Sequence, residues 1–274
     1  MPKLNTDGLV YAFGYSPAAV GMMESRTAEA NADFFLPHLS KGMNIVDIGC
    51  GPGSITVGLA EAVNPGTATG IDIEPSQVSL ARERAAEMKL PNCRFEVGSV
   101  FELPIPDNSV DAVFGHTILM QFQNPEPVLD EVKRILRPGG LVGFREIDFE
   151  ASLHSSEDDA IRVVMSLLRR SILENDGNPD IGRRLPALVS QAGFEVISAK
   201  PTYACSSTAP ERIGMYNVMK SLWEQAVFVA EAESAGWLTA EERSALPDRL
   251  AEEANDPGRL TGTTYVEVVG RTVA

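Results

Sequence analysis

The 274 residues carry 23 Lys and Arg against 38 Asp and Glu, a formal net charge of -15 that repels a phosphate backbone and disfavours nucleic acid as a partner. With 44% hydrophobic and 22% charged residues, the composition is that of an ordinary globular protein, large enough to bury a full core. The N-terminal MPKLNTDGLVYAFGYSP lacks the apolar centre of a signal peptide and no apolar run reaches membrane-spanning length, so a cytoplasmic protein without a stable membrane anchor is expected.

The leading stretch, residues 1–40, contains SPAAVGMMESRTAEANADFFLPHL. Its pattern is mostly helical and ends at Pro37, with Tyr11, Tyr15 and Arg26 near its start, and predicts an N-terminal helical lid. Between 41 and 150, the short apolar runs NIVDI (44–48), ATGIDI (68–73), CRFEV (93–97), VDAVFG (110–115) and LVGFREID (141–148) predict strands. SITVGLAEAV, SQVSLARERAAEM and PEPVLDEVKRIL between them have helical spacing, and the alternation predicts βαβ units on a parallel sheet. Pro75-Ser76 opens one helix, Pro125 and Pro127 sit in the first turn of another, and Pro138-Gly139-Gly140 stops it.

Residues 155–192 read as two helices broken at NDGNPDIG, and GFEVISAK (193–200) reads as a strand. Residues 209–254 are helical by pattern, the acidic stretch 231–253 forming a solvated face, and TYVEVVGRTV (264–273) is a final strand. The expectation is one domain, 1–274, of class α/β. It has a doubly wound, seven-stranded, mainly parallel sheet, a cofactor-binding core at 41–150, N-terminal helices, and a helical cap insertion (205–258) over the carboxyl edge of the sheet. Cys50, Cys93 and Cys205 are odd in number and have no C-x-x-C pair, so neither disulfides nor a metal site is expected, only small buried residues.

The stretch NIVDIGCGPGSI places Gly49, Gly51 and Gly53 between the first strand and the first helix, where a ligand can approach bare backbone and helix N-terminal amides. The dinucleotide fingerprint G-x-G-x-x-G needs a glycine where Ser54 stands, and no G-x-x-x-x-G-K-[ST] occurs. Asp47 entering the loop suits a cationic ligand better than a pyrophosphate. Asp72, 19 residues after Gly53 at the end of the second strand, stands where an acidic residue accepts hydrogen bonds from both ribose hydroxyls. A ribose without phosphate and a cationic amino-acid tail describe S-adenosylmethionine.

The segments VDIGCGPG, GIDIEPSQV, VGSVFELPIPDNSVDAVF and VLDEVKRILRPGG, over about 44–140, resemble in order and spacing the class I S-adenosylmethionine-dependent methyltransferases. Within them the chain is similar to the quinone-biosynthesis C-methyltransferase-like branch and its small-molecule, natural-product relatives. The resemblance implies that Asp47 and the Gly49, Cys50, Gly51, Gly53 turn hold the methionine end of the cofactor. It places Asp72 on the ribose, Ile73 against adenine, and Gln77 on the cofactor side of the next helix. Where the family often has an adenine-binding Asp, this chain has Ser99, so adenine recognition is expected to lean on Val100 and Phe101. FGHTILMQF matches the family segment that closes over the methionine moiety, which brings Gly115 and His116 beside the sulfonium. In related enzymes the leading segment folds over the cofactor, and this implies Tyr11, Tyr15 and Arg26 near its carboxylate.

Methyl transfer is an in-line displacement on an activated sulfonium, so alignment and exclusion of water come first, and a base helps only for a hydroxyl or acidic-carbon acceptor. His116, His154 and Tyr15 are the candidate catalytic groups, His154 because it follows the fifth strand at the edge where ligands gather; His38, in apolar FFLPHLS, is expected to be structural. Arg145 is expected to pair with Glu146 or Asp148 unless these carboxylates cap a helix. Met215, Tyr216, Met219, Trp223 and Phe228 either wall an apolar acceptor pocket or pack the core of the cap.

The expected activity is transfer of a methyl group from S-adenosylmethionine to a small apolar or aromatic acceptor, with O-, N- and C-methylation not separated by these residues. One alternative is a cofactor-binding regulator or scaffold without turnover, which the full-length acceptor-side loops disfavour. A protein or RNA methyltransferase is disfavoured by charge and by the lack of an N-P-P-Y-like signature after the fourth strand. The small acceptor is the expected partner; the oligomeric state, a homo-oligomer included, is left open.

Overall fold

The computed structural model describes residues 11–156 and 159–273, so residues 1–10 of the expected lid lie outside the described residues. The first half contains α1 (Pro17–Glu24), α2 (Ala28–Asn31), β1 (Ile45–Ile48), α3 (Ser54–Val63), β2 (Ala68–Asp72), α4 (Pro75–Glu87), β3 (Cys93–Val97), β4 (Val110–His116) and α5 (Glu126–Ile135). There follow β5 (Leu136–His154), α6 (Ala160–Glu174), α7 (Leu185–Gln191), β6 (Phe194–Ser206), α8 (Ala209–Gln225), α9 (Val227–Ser234), α10 (Ala240–Ala254) and β7 (Thr261–Thr272). One-turn 3-10 helices lie at Leu36–His38, Leu119–Gln121 and Ile181–Arg184. Among the described residues no helix is long and apolar enough to cross a membrane.

The seven strands form one sheet in the order β3-β2-β1-β4-β5-β7-β6, with β7 antiparallel to both neighbours. β1 sits between β2 and β4, parallel to both, and all four of its residues are buried. Side chains alternate across a strand, so Val46 and Ile48 pack with Val113, Val142 and the Val128, Leu129, Val132 face of α5. Ile45 packs the other way, with Leu59, Ala60 and Val63 of α3 and with Phe35 and Phe114.

The N-terminal segment is less helical than its pattern predicts. Ser16 and Thr27 cap α1 and α2 through their hydroxyls, and each cap restarts the chain after a turn, leaving helices of 8 and 4 residues. The strands β5, β6 and β7 are longer than their apolar runs. Beyond a register shift between Asp148 and Leu153 they continue as an antiparallel ribbon in which His154 pairs with Thr261, and Thr261 with Ser206. Ladder hydrogen bonds, not an apolar run, hold that part, and Pro201 is tolerated because β6 is an edge strand.

The helices α8–α10 come between β6 and β7. Trp223 and Tyr216 of α8 and Phe228 of α9 are fully buried, and the Trp223 indole donates to the Arg243 carbonyl of α10 at 3.1 Å. The N-terminal segment is fastened to these helices: the Phe228 amide donates to the Ala12 carbonyl at 2.9 Å, and Phe13 meets Phe228 edge-on at 6.3 Å.

Gly143 in β5 lies directly under Phe35, where a Cβ would come within 2.4 Å of the ring. Gly143→Ala is expected to destabilise the protein by about 1–3 kcal/mol through overpacking. Urea unfolding checks it, and an unchanged midpoint would show that the Phe35 ring yields freely.

Candidate functional site

β1 ends at Ile48, and the chain turns through Gly49, Gly51 and Gly53 at φ values of +66, +54 and +74°. Two of these glycines face a cleft. Gly49 and Gly51 line it, and a Cβ at Gly51 would meet only the Met23 sulfur at 3.5 Å. Gly53 is bare for another reason, because a Cβ there would strike Phe95 and Ala81 within 2.8 Å; close packing of α3, not ligand approach, requires it.

Asp72 closes the opposite side of the turn. Its carboxylate accepts the Gly51 amide at 2.8 Å and the Glu74 amide at 2.9 Å, which fixes it across the cleft with acceptor capacity to spare. Burial pushes its pKa up, and these amides pull it back. Asp47 is buried at the bottom of a small adjoining recess with Cys50, and accepts the Thr56 hydroxyl at 2.5 Å. Burial, opposed by that bond, raises its pKa to about 7.

Ile73, 45% exposed, and Val100 supply apolar surface to the cleft, and Tyr11 and Tyr15 bound it from the N-terminal segment. Burial and Asp72 raise the Tyr15 pKa, keeping the phenol protonated. Arg26 lines the cleft and the recess, and among the described residues it has no ion-pair partner.

Thr117, Ile118, Gln121 and Phe122, in the segment after β4, form the far wall of the cleft. Behind them lies a second cavity of about 370 Å³. Its walls are largely apolar: Phe13, Met22, Met120, Ile147, Phe149, Met165, and Met215 and Met219 of α8. The helical stripe of the cap is thus divided, the two methionines facing the cavity while Tyr216, Trp223 and Phe228 form core. Tyr11, Arg26, Thr117 and Gln121 border both spaces.

His116 lies against the cleft and the recess, fully buried. Its Nε2 faces the Arg145 guanidinium at 2.9 Å and the Asn31 amide nitrogen at 3.3 Å. Arg has no lone pair to offer, so Nε2 accepts and the proton resides on Nδ1, 3.2 Å from the Thr117 hydroxyl. Burial and the charges of Arg26 and Arg145 hold the ring neutral, its pKa well below the usual value. Arg145 pairs with neither expected carboxylate. It crosses to Glu267 of β7 at 3.1 Å with its guanidinium 3.6 Å over the Tyr265 ring, while Asp148 is bridged by Arg183 and Glu146 turns inward.

Several expected site residues are not brought to the cleft. The Ser99 hydroxyl accepts the Phe101 amide at 3.2 Å, a local turn, and Phe101 packs edge-on against Phe122 at 4.9 Å. Gly115 is a close-packing glycine whose Cβ would meet Phe144 at 2.9 Å. Gln77 is buried on the inner face of α4 with its Oε1 unpartnered among the described residues. His154 lines neither space: the ribbon beyond the register shift places it, half-buried, in a recess with Glu150, Ser152 and Arg162 that shares the Phe149 and Met165 walls of the apolar cavity, and burial lowers its pKa. Sequence reading passed over Asn31 and Tyr265. Tyr265 is invisible to pattern, because only antiparallel pairing with Ile147 sets it under Arg145.

A sheet with a glycine turn after β1, a carboxylate ending β2 and one antiparallel strand next to last has the architecture of a class I S-adenosylmethionine-dependent methyltransferase. A family model described as a methyltransferase domain matches residues 39–177, and the chain belongs to that family. It is 34% identical over 209 residues to the "Probable methyltransferase ltbC" of Aspergillus luteorubrus, covering 72% of this chain and 73% of that protein. It is 36% identical over 106 residues to the demethylmenaquinone methyltransferase of Listeria monocytogenes, covering 38% of this chain and 45% of that one. The crystal structure of a SAM-dependent methyltransferase from Aquifex aeolicus shares the fold, with a TM-score of 0.52 at 20% identity over 68% of this chain and 92% of that chain.

His116 is expected to remain neutral and protonated on Nδ1 through pH 6.5, where a free imidazole is half protonated, as read from 15N imidazole shifts; a titration near pH 6.5 would contradict the bonding above. Because the unfolded ring takes up a proton that the folded ring refuses, this residue lowers stability as pH falls below about 6.5.

Proposed function

We propose that this chain transfers a methyl group from S-adenosylmethionine to a small, largely apolar organic acceptor. The observation that carries the reading is the pair of spaces sharing one wall: a polar cleft built on the glycine turn, and an apolar cavity of about 370 Å³ behind Thr117 and Gln121.

The cleft residues fit the cofactor. Gly51, at a φ of +54° that side chains rarely adopt, leaves bare backbone beside the cleft, and Asp72 presents a carboxylate fixed by two amides for a ribose diol. Ile73 and Val100 offer apolar faces to a purine. Asp47, once ionised, suits the α-ammonium, and Arg26, unpaired among the described residues, suits the α-carboxylate. When bound, S-adenosylmethionine supplies a methyl group already activated on a sulfonium.

The protein's own contribution is alignment and dryness. Thr117 and Gln121 fix where the two spaces meet, and Ile118, Phe122 and Met120 keep water from that boundary. None of the four residues bordering both spaces can take up a proton at neutral pH. Tyr11 is held protonated by burial, Arg26 is cationic, and Thr117 and Gln121 do not titrate there. His116 has both ring nitrogens engaged. At the boundary of the two spaces the protein therefore orients the acceptor and offers it no base.

S-adenosylhomocysteine is expected to bind and NADH not, and Asp72→Ala to weaken the former by about 1–3 kcal/mol, since ribose hydroxyls lose a buried acceptor. Calorimetry tests both, and a preference for NADH sinks the reading. His154→Ala is expected to leave turnover of an acceptor found by methyl-transfer screening within about twofold, because a general base contributes about 100-fold or more and His154 lies outside both spaces. A hundredfold loss would return it to the active site.

A further inference from the structure

Glu146, in the middle of β5, is fully buried and has no cationic partner among the described residues. Its Oε1 accepts the Ile118 and Leu119 amides at 2.9 and 2.8 Å, and its Oε2 accepts the Met120 amide at 3.2 Å. These are successive donors at the start of the one-turn helix Leu119–Gln121, which that helix leaves unsatisfied. The same segment is tied at two further points: the Thr117 amide donates to the Arg145 carbonyl at 2.9 Å, and the Met120 carbonyl accepts the Asn178 amide at 2.8 Å. Thr117 is held at a φ of +52°, a conformation a threonine adopts only when its surroundings impose it.

We propose that Glu146 is a positioning residue for methyl transfer, its carboxylate fixing the Thr117–Gln121 wall and with it the relative placement of donor and acceptor. The proposal rests on the reading that transfer occurs across this wall. A carboxylate is suited to the task because both oxygens accept; an amide of the same shape turns an N–H donor toward at least one of the three amides.

The charges nearest Glu146 along its own strand are bound to other partners. On β5, Arg145 is bound to His116 and Glu267, and Asp148 to Arg183 of the Ile181–Arg184 turn. On that turn, Arg184 is the other cation; on β7, Val266 lies in register with Glu146, flanked by Tyr265 and Glu267; on β4, His116 is neutral. Burial raises the Glu146 pKa to about 8, with the three amides opposing. As pH rises through that value the carboxylate ionises and the clamp tightens, so turnover rises.

The test uses the full chain, 15N-labelled, and Glu146→Gln. In the wild type, the amide resonances of Ile118, Leu119 and Met120 are expected to move together with a midpoint near pH 8, and in Glu146→Gln they are expected not to titrate. Glu146→Gln is expected to keep S-adenosylhomocysteine affinity within about threefold but to lower kcat at least about tenfold and lose the rising limb near pH 8, since misplacement of about 1 Å costs on the order of 100-fold. Should Glu146→Gln not fold, Glu146→Asp is expected to retain the rising limb at reduced kcat. Wild-type kcat in a folded Glu146→Gln overturns the proposal. Failure of the wild type to bind S-adenosylhomocysteine overturns the methyl-transfer reading instead.

Discussion

Hydrogen bonding of β1 on both sides to parallel partners is the constraint from which the site follows. Parallel neighbours all end at one edge, so the turns after β1, β2 and β4 are delivered there together, although residues 49, 72 and 117 are far apart in sequence. The Gly51–Asp72 hydrogen bond is the direct product, joining the turn after the first strand to the end of the second. The sheet reversal at β7 adds a second consequence. An antiparallel strand between β5 and β6 carries Tyr265 and Glu267 to the same edge from the end of the chain, and these bind the Arg145 that holds His116.

Burial sets the electrostatics more than any single charge does. Asp47 and Glu146 are pushed toward neutrality, and His116 is denied its proton, each chiefly because water is absent. The protein answers in three ways: a hydroxyl for Asp47, three amides for Glu146, and for Arg145 a carboxylate with an aromatic face. Removing one partner from such an arrangement costs more than the bond is worth, because the remaining group stays buried. Arg26 stands apart. It has no such answer within the described residues, which is the electrostatic reason it is proposed to meet the cofactor carboxylate.

What the sequence made legible was whatever rests on local pattern. The parallel strands and their helices lie where apolar runs and prolines put them; β3 is CRFEV to the residue, and α4 and α5 start at Pro75 and Glu126. Asp72 and Gly51 were readable because turn chemistry and a spacing identify them. The ribbon of β5, β6 and β7 was not, since ASLH and PTYACS have no apolar run and are strands only by pairing. His154 shows the consequence: its place after the apolar run of strand five suggested the crevice, while the ribbon sets it in a recess on the far side of Phe149 and Met165. Gly53 and Gly115 show the complementary ambiguity, for a glycine that admits a ligand and one that admits a phenyl ring look alike in sequence.

The apolar cavity proposed for the acceptor is assembled from segments that are distant in the chain: Phe13 and Met22 from the start, Met120 from the middle, Met165 from α6, and Met215 and Met219 from the cap. Thioether side chains bend and polarise, and a wall of them adapts to a guest instead of prescribing its outline. Such a cavity selects for apolar bulk and size but discriminates weakly among shapes. The rigid elements lie on the other side, where Thr117 and Gln121 belong to a segment bonded at both ends and from behind. On the proposed function, discrimination falls on which acceptor atom reaches that fixed wall within bonding range of the donor. Shape tolerance in the cavity and strictness at the wall are compatible because different parts of the chain supply them.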